Sequence, residues 1–216
     1  MRPIQKTVTF QSASATGVTT AQTPVNNVNL TINGTFAAGG VATFNEATVV
    51  AFSSISNLTT VVFTISGTLA NGVRVSENVT GPNNNTVSTT TLFKTVTSVA
   101  VATVTTFTTQ TIAVGNPNSA SLGTGAWWPL DIYVPNQVTT ISCNEVVNGV
   151  TYSVEYTNED PFDTTITQLA VAHPTAALTG ASTSQTASTT VLMRAVRVVT
   201  SGGGSLRVTV VQQSTA

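Results

Sequence analysis

Few residues in this chain are equipped for chemistry. There is one histidine, His173, in the stretch Ala172-His173-Pro174-Thr175, and one cysteine, Cys143. Of the eight acids, Glu155, Glu159, Asp160 and Asp163 fall together in "EYTNEDPFD". Both tryptophans and one of the three tyrosines fall in "WWPLDIY", as Trp127, Trp128 and Tyr133. A general base, a nucleophile, a metal site or a stacking platform must be drawn from these groups.

Each has a chemical reading and a plainer one. Pro174 pushes His173 toward an extended or turn conformation, and the chain has no Gly-x-Ser-x-Gly elbow to give a histidine base its nucleophile. His173 is therefore expected to be a hydrogen-bonded loop residue. The four clustered acids offer oxygens of the kind Ca²⁺ takes, but their spacing does not match an EF-hand loop. They read as a solvated loop after the strand "TYSVEYT", with Asp160-Pro161 starting a turn. No His/Cys cluster has zinc spacing, and no glycine-rich strand-to-helix turn would cradle a phosphate. Paired carboxylates for glycoside hydrolysis would have to come from the same eight acids, and no aromatic interleaving along the strands lines a sugar groove. A lone Cys143 makes no internal disulfide and reads as a small side chain on a strand. The expectation is a protein that is not an enzyme and holds neither a cofactor nor a metal.

The elements that position these residues follow from composition. Charged residues make up 7% of the 216 residues, against roughly a quarter in an average soluble protein, and about a fifth of the chain is threonine. Val, Ile, Thr and Phe are too abundant for a disordered chain, and β-branched side chains fit a pleated, half-buried surface better than a helix. The fold class is all-β. A formal net charge of −1 gives no basic footprint for nucleic acid. No run approaches the length of a membrane-spanning helix, and the amino terminus lacks the apolar core of a signal peptide. Synthesis in a cytoplasm is expected, with neither nucleic acid nor membrane as partner. Net charge near zero also favours association of copies, so a homo-oligomer is expected.

Short strand signals recur along the whole chain, as in sandwiches and barrels. In "GVRVSENVTG" Val73, Val75 and Val79 alternate with polar residues, and Glu77 breaks the apolar face, as at a sheet edge. Asn71-Gly72, Asn148-Gly149, Gly39-Gly40 and Gly202 to Gly204 read as hairpin turns. The stretch "GNPNSASLGTG" has no apolar periodicity and marks a boundary. Two β-sandwich modules, jelly-roll or immunoglobulin-like, are expected at 1–115 and 126–216, joined by a linker at 116–125. Trp127 and Trp128 open the second module. Neighbouring residues of a strand point to opposite faces, so one ring is expected in a core and the other toward the first domain, a neighbouring subunit or solvent. Pro129 favours an edge or strand entry there. Trp127, Trp128 and Tyr133 are the candidate interface residues.

The order of parts in "ISGTLANGVRVSENVTGPNNNTVSTTTLFKTVTSVAV", followed by "WWPLDIY", "YSVEYTNEDPFD", "AHPT", "RAVRVV" and "GGGSLRVTVVQQ", resembles structural proteins of tailed-bacteriophage virions. The resemblance covers about residues 60 to 213 and carries no catalytic residue with it. It implies a protein of the virion that acts by assembly, a head decoration or cement protein bound to the major capsid protein or to other virion proteins. A trimer is implied by the resemblance alone. A tail, neck or fibre-associated component stays open, as does a carbohydrate-binding module using Trp127, Trp128 and Tyr133.

Overall fold

The computed structural model describes residues 4–103, 109–116, 122–133, 137–145, 150–163, 165–201 and 204–214. Apart from one 3₁₀ turn at Ala176–Leu178, every regular element described is a strand. In chain order these are β1 (Ile4–Phe10), β2 (Ser14–Gln22), β3 (Ala37–Ala38), β4 (Val41–Thr48), β5 (Ala51–Ser53), β6 (Val62–Thr68), β7 (Arg74–Thr80), β8 (Thr86–Ser88), β9 (Phe93–Thr103) and β10 (Ile112–Asn116). Then follow β11 (Leu122–Thr124), β12 (Trp128–Pro129), β13 (Gln137–Glu145), β14 (Thr151–Thr157), β15 (Val171–Ala172), β16 (Gln185–Thr189), β17 (Ala195–Ser201) and β18 (Gly204–Ser214). The all-β class read from composition is the class observed.

The chain divides into two compact units, and they are nested rather than consecutive. One is Gln11–Gly123, the inserted unit; the other joins Met1–Phe10 to Thr124–Ala216, the split unit. The division expected at 115 and 126 therefore needs correction at its amino-terminal end. β1 pairs antiparallel with β18 in an unbroken register from Ile4↔Val210 to Phe10↔Gly204, and its Val8 and Phe10 are buried in the core of the split unit. At both ends of the stretch expected as a linker, described residues belong to strands. Asn116 ends β10 with its side chain buried, accepting from the Ser14 backbone N–H at 2.7 Å and donating to the Ser12 carbonyl at 3.2 Å. Leu122–Thr124 is a strand, and residues 117–121 lie outside the described residues.

Both units have the same strand order. In the inserted unit, if β2 and β4 through β10 are lettered a to h, one sheet runs β2-β10-β5-β8, or a-h-c-f. The other runs β4-β9-β6-β7, or b-g-d-e, with β3 added beside β4. Lettering β1 and β12 through β18 in the same way, the split unit has β1-β18-β13-β16, again a-h-c-f. Its second sheet has β15-β14-β17 with β12 on β17, again e-d-g-b. All of these pairings are antiparallel. Eight strands in this order make the two interlocked Greek keys of a jelly roll, so strand order separates the two architectures that the sequence left open.

Alternation explains how each pair of sheets closes on its core. Along β6 ("VFTISGT") every second residue is buried, which puts Phe63 and Ile65 inside. Phe63 meets Phe52 of the opposite sheet, with ring centroids 5.3 Å apart. Ile141 and Val208 of one sheet share the split unit's core with Trp128, Tyr152 and Val198 of the other. Several outward residues are joined across strands by neutral groups. Ser66 and Ser76, Thr64 and Asn78, Ser53 and Thr86 are bonded at 2.8 Å, as are Thr140 and Ser188. Thr186 bonds Ser142 at 2.9 Å. Each of these pairs sits directly opposite in register, so hydroxyls supply the cross-strand contacts for which ion pairs are otherwise used.

The turns show where the local reading was right and where it changes. Gly39 and Gly40 both have positive φ, 59° and 79°, between the paired Ala38 and Val41, which is the two-residue turn that glycine favours. Around Asn71-Gly72 only Gly72 has positive φ. Its N–H reaches the Leu69 carbonyl at 3.0 Å and the Leu69 N–H reaches the Val73 carbonyl at 2.9 Å. That is a three-residue loop ending in a left-handed residue, a longer hairpin connection than the expected two-residue one. β7 is an edge strand, as Glu77 suggested. Asn148-Gly149 and Gly202-Gly203 lie outside the described residues.

Candidate interaction surface

The "WWPLDIY" segment is strand b of the split unit and the turn that follows. Trp128 pairs with Val196 and Pro129 with Ala195, and the Leu130 N–H donates to the Arg194 carbonyl at 2.8 Å. Burial alternates along it: Trp128 and Leu130 are inside, Pro129 and Asp131 outside. The two rings therefore part, as a strand requires. Trp128, 4% exposed, belongs to the core, with the Lys6 ammonium 5.5 Å from its ring centroid. Trp127 lies half-buried beneath the Arg197 guanidinium, 4.4 Å from the ring centroid. Arg197 also holds Glu155, its cross-strand neighbour, through Nε at 2.8 Å and Nη2 at 2.7 Å. A stack of ring, guanidinium and carboxylate is stable by itself, and it leaves Trp127 without an open face on that side. Tyr133 is the only one of the three candidates that projects freely, at 89% exposed.

The titratable groups do not converge. Cys143 is fully buried on β13, and burial pushes its thiol up to about 12, so it stays protonated and inert. His173 is also buried. Its Nδ1 accepts from the Thr175 N–H at 3.2 Å, and its Nε2 has no protein partner. Burial holds its pKa below the usual histidine value. Among the described residues no group of three or more His, Cys, Asp or Glu could hold a metal ion. No described helix is long and apolar enough to cross a membrane.

The acidic stretch has a different use, which the sequence reading missed. Asp131 accepts from the Tyr133 N–H at 2.9 Å, Asp160 from the Phe162 N–H at 3.0 Å, and Glu159 from the Leu169 N–H at 2.5 Å. Tyr133, Phe162 and Leu169 are 89%, 74% and 67% exposed, so the backbone of each of these three exposed residues is fixed by a nearby carboxylate. Asp163 fixes Thr165 through N–H and hydroxyl bonds of 2.8 and 2.6 Å. Those bonds, the hydroxyl first, lower the Asp163 pKa. The Gln168 amide bridges the carbonyls of Asp160 and Asp163 at 3.1 and 2.6 Å. Finally Asp160 pairs with Arg194 at 3.0 Å, which ties the β14–β15 loop to the β16–β17 loop.

Three loops meet at this end because of the strand pairing. β12 ends, β14 ends and β17 begins at the same level, as Pro129↔Ala195 and Thr157↔Ala195 show. β15 begins beside the end of β14, at Val171↔Tyr156. The connections after β12, after β14 and before β17 therefore share one end of the split unit. They carry Ile132, Tyr133, Phe162, Ile166, Leu169 and Leu192, all exposed. The sequence signal was present as bulky apolar letters in "NEDPFDTTITQLAV", a stretch without strand periodicity.

Comparison with known protein families, with curated proteins and with solved structures gives no match.

Proposed function

We propose that this chain is a non-enzymatic structural protein of a bacteriophage virion, a decoration or cement protein that binds and stabilises the assembled head. The observation that supports this reading is the jelly-roll strand order present twice in one chain, an architecture used for capsid and lectin domains. Its outer faces carry few charges and several hydroxyl pairs, so they suit close packing in a lattice without long-range charge matching. A protein that binds only the assembled lattice stabilises it by mass action, and many copies amplify modest contacts.

The lectin use of the same architecture fits less well. Trp128 is in the core and Trp127 lies under Arg197, so the paired rings offer no flat platform for a sugar. Co-sedimentation of the purified chain with phage heads tests the proposal, with copy number read by quantitative gel or mass spectrometry. Hundreds of copies per head are expected on the decoration reading. Six or twelve would indicate a neck or tail position, and binding to a cell-surface glycan without binding to heads would replace the proposal.

A further inference from the structure

The apolar end of the split unit is built to be covered. Aromatic side chains carry about 150–250 Å² each, so at their observed exposures Tyr133 and Phe162 alone leave on the order of 300 Å² open. That already matches the smaller of the largest patches found on monomers, about 300–600 Å². Leu169, Leu192, Ile166 and Ile132 bring it toward the roughly 800 Å² per partner of a stable interface. The backbone beneath Tyr133, Phe162 and Leu169 is held by carboxylates, which lowers the ordering cost of docking. Asp160 is neutralised by Arg194, and a formal charge of −1 for the whole chain leaves little long-range repulsion between copies.

We propose that copies of this chain associate with one another through this end, Tyr133, Phe162, Leu169 and Leu192 forming the centre of the contact. The inference rests on the geometry of the split unit and holds whether or not the chain belongs to a virion. Because Asp131, Glu159 and Asp163 lie in the same loops as the apolar residues on every copy, it is an apolar contact with a like-charged rim. Added salt should strengthen it by screening the rim.

Sedimentation velocity of the full chain across a concentration series tests this. The wild type should form a defined oligomer, while Phe162→Ser combined with Leu169→Ser should weaken association by roughly thirtyfold or more, as loss of central interface residues does. Both sites are largely exposed, so the melting temperature should hardly move. Should the pair misfold, Tyr133→Ser with Leu192→Ser probes the same contact from the other two loops. Ile55→Ser, exposed on the inserted unit, should leave the oligomer unchanged. A wild type that stays monomeric at high concentration would overturn the proposal, as would folded variants that assemble like the wild type or an association weakened by salt.

Discussion

The two units share one strand order and differ at one end. In the inserted unit the connection from β4 to β5 is two residues, Val49 and Val50, and that from β6 to β7 is five, Leu69 to Val73. The segment before β9 is pinned by Glu77, whose carboxylate accepts from the N–H groups of Thr90 and Thr91 at 2.8 Å. At the equivalent end of the split unit the connection from β14 to β15 runs from Asn158 to Ala170 and carries Phe162, Ile166 and Leu169. Kinship of the units is visible in their letters. "TVSTTTLFKTVTSV" at Thr86–Val99 and "TASTTVLMRAVRVV" at Thr186–Val199 agree at seven positions and hold equivalent places, the strands f and g of each unit. Phe93 and Met193 are both fully buried, yet Leu92 is half-buried and Leu192 is 59% exposed. A shared scaffold thus shows what its own stability requires, and the excess at one end of one copy is what remains for a partner.

The sharpest way to break the comparison is to remove β1. A chain beginning at Gln11 loses the burial of Val8 and Phe10, roughly 3–6 kcal/mol, and opens β18 along its length. That is comparable with a whole domain's stability of about 5–15 kcal/mol. The split unit should lose its cooperative transition in calorimetry while the inserted unit keeps one. Two unchanged transitions would contradict the nesting.

Next in size is the split between the tryptophans. Trp128→Ala should cost about 3–5 kcal/mol, the range for a buried aromatic. Trp127→Ala, which loses chiefly its stack with Arg197, should cost about 1 kcal/mol. Denaturant titration followed by near-ultraviolet circular dichroism separates the two, and equal losses would contradict the opposite-face placement.

Acid should affect the units in sequence. His173, with a folded pKa below its unfolded value, is neutral when folded, so the unfolded chain binds its proton first. Stability of the split unit is thus whole above the ordinary histidine value and is lost as pH falls below it toward the folded pKa. Glu77 titrates lower: burial raises its pKa, but the Thr90 and Thr91 hydrogen bonds outweigh that and leave it lowered. Its contribution to the inserted unit is present above the ordinary carboxylate value and is lost as pH falls through the folded pKa. Calorimetry across this range should show the split unit weakening first, and Glu77→Gln should flatten the later decline. The smallest effect expected is that of Asp160→Asn, at most about 1 kcal/mol for a pair exposed to solvent, with the β14–β15 loop loosened more than the unit is destabilised.

Much of this was written locally in the sequence. Period-two alternation gave the strands, Gly39-Gly40 gave its turn, Glu77 marked the β7 edge, and adjacency alone separated Trp127 from Trp128. Nesting was not legible, because β1 pairs with β18 across nearly the whole chain and a reading by contiguity assigns Ile4–Phe10 to its sequence neighbours. The apolar end was hidden for a related reason. Asp131, Glu159 and Asp160 look like ligands or solvated charges until the fold shows which backbone N–H groups they hold.

The most direct measurement is hydrogen exchange of the full chain by mass spectrometry, compared between dilute and concentrated protein. Peptides containing Tyr133, Phe162, Leu169 and Leu192 should gain protection on concentration, while those spanning Leu69–Val73 and Thr89–Leu92 should not change. Protection that rises equally at both ends, or at neither, would contradict the assignment of the association surface to the split unit.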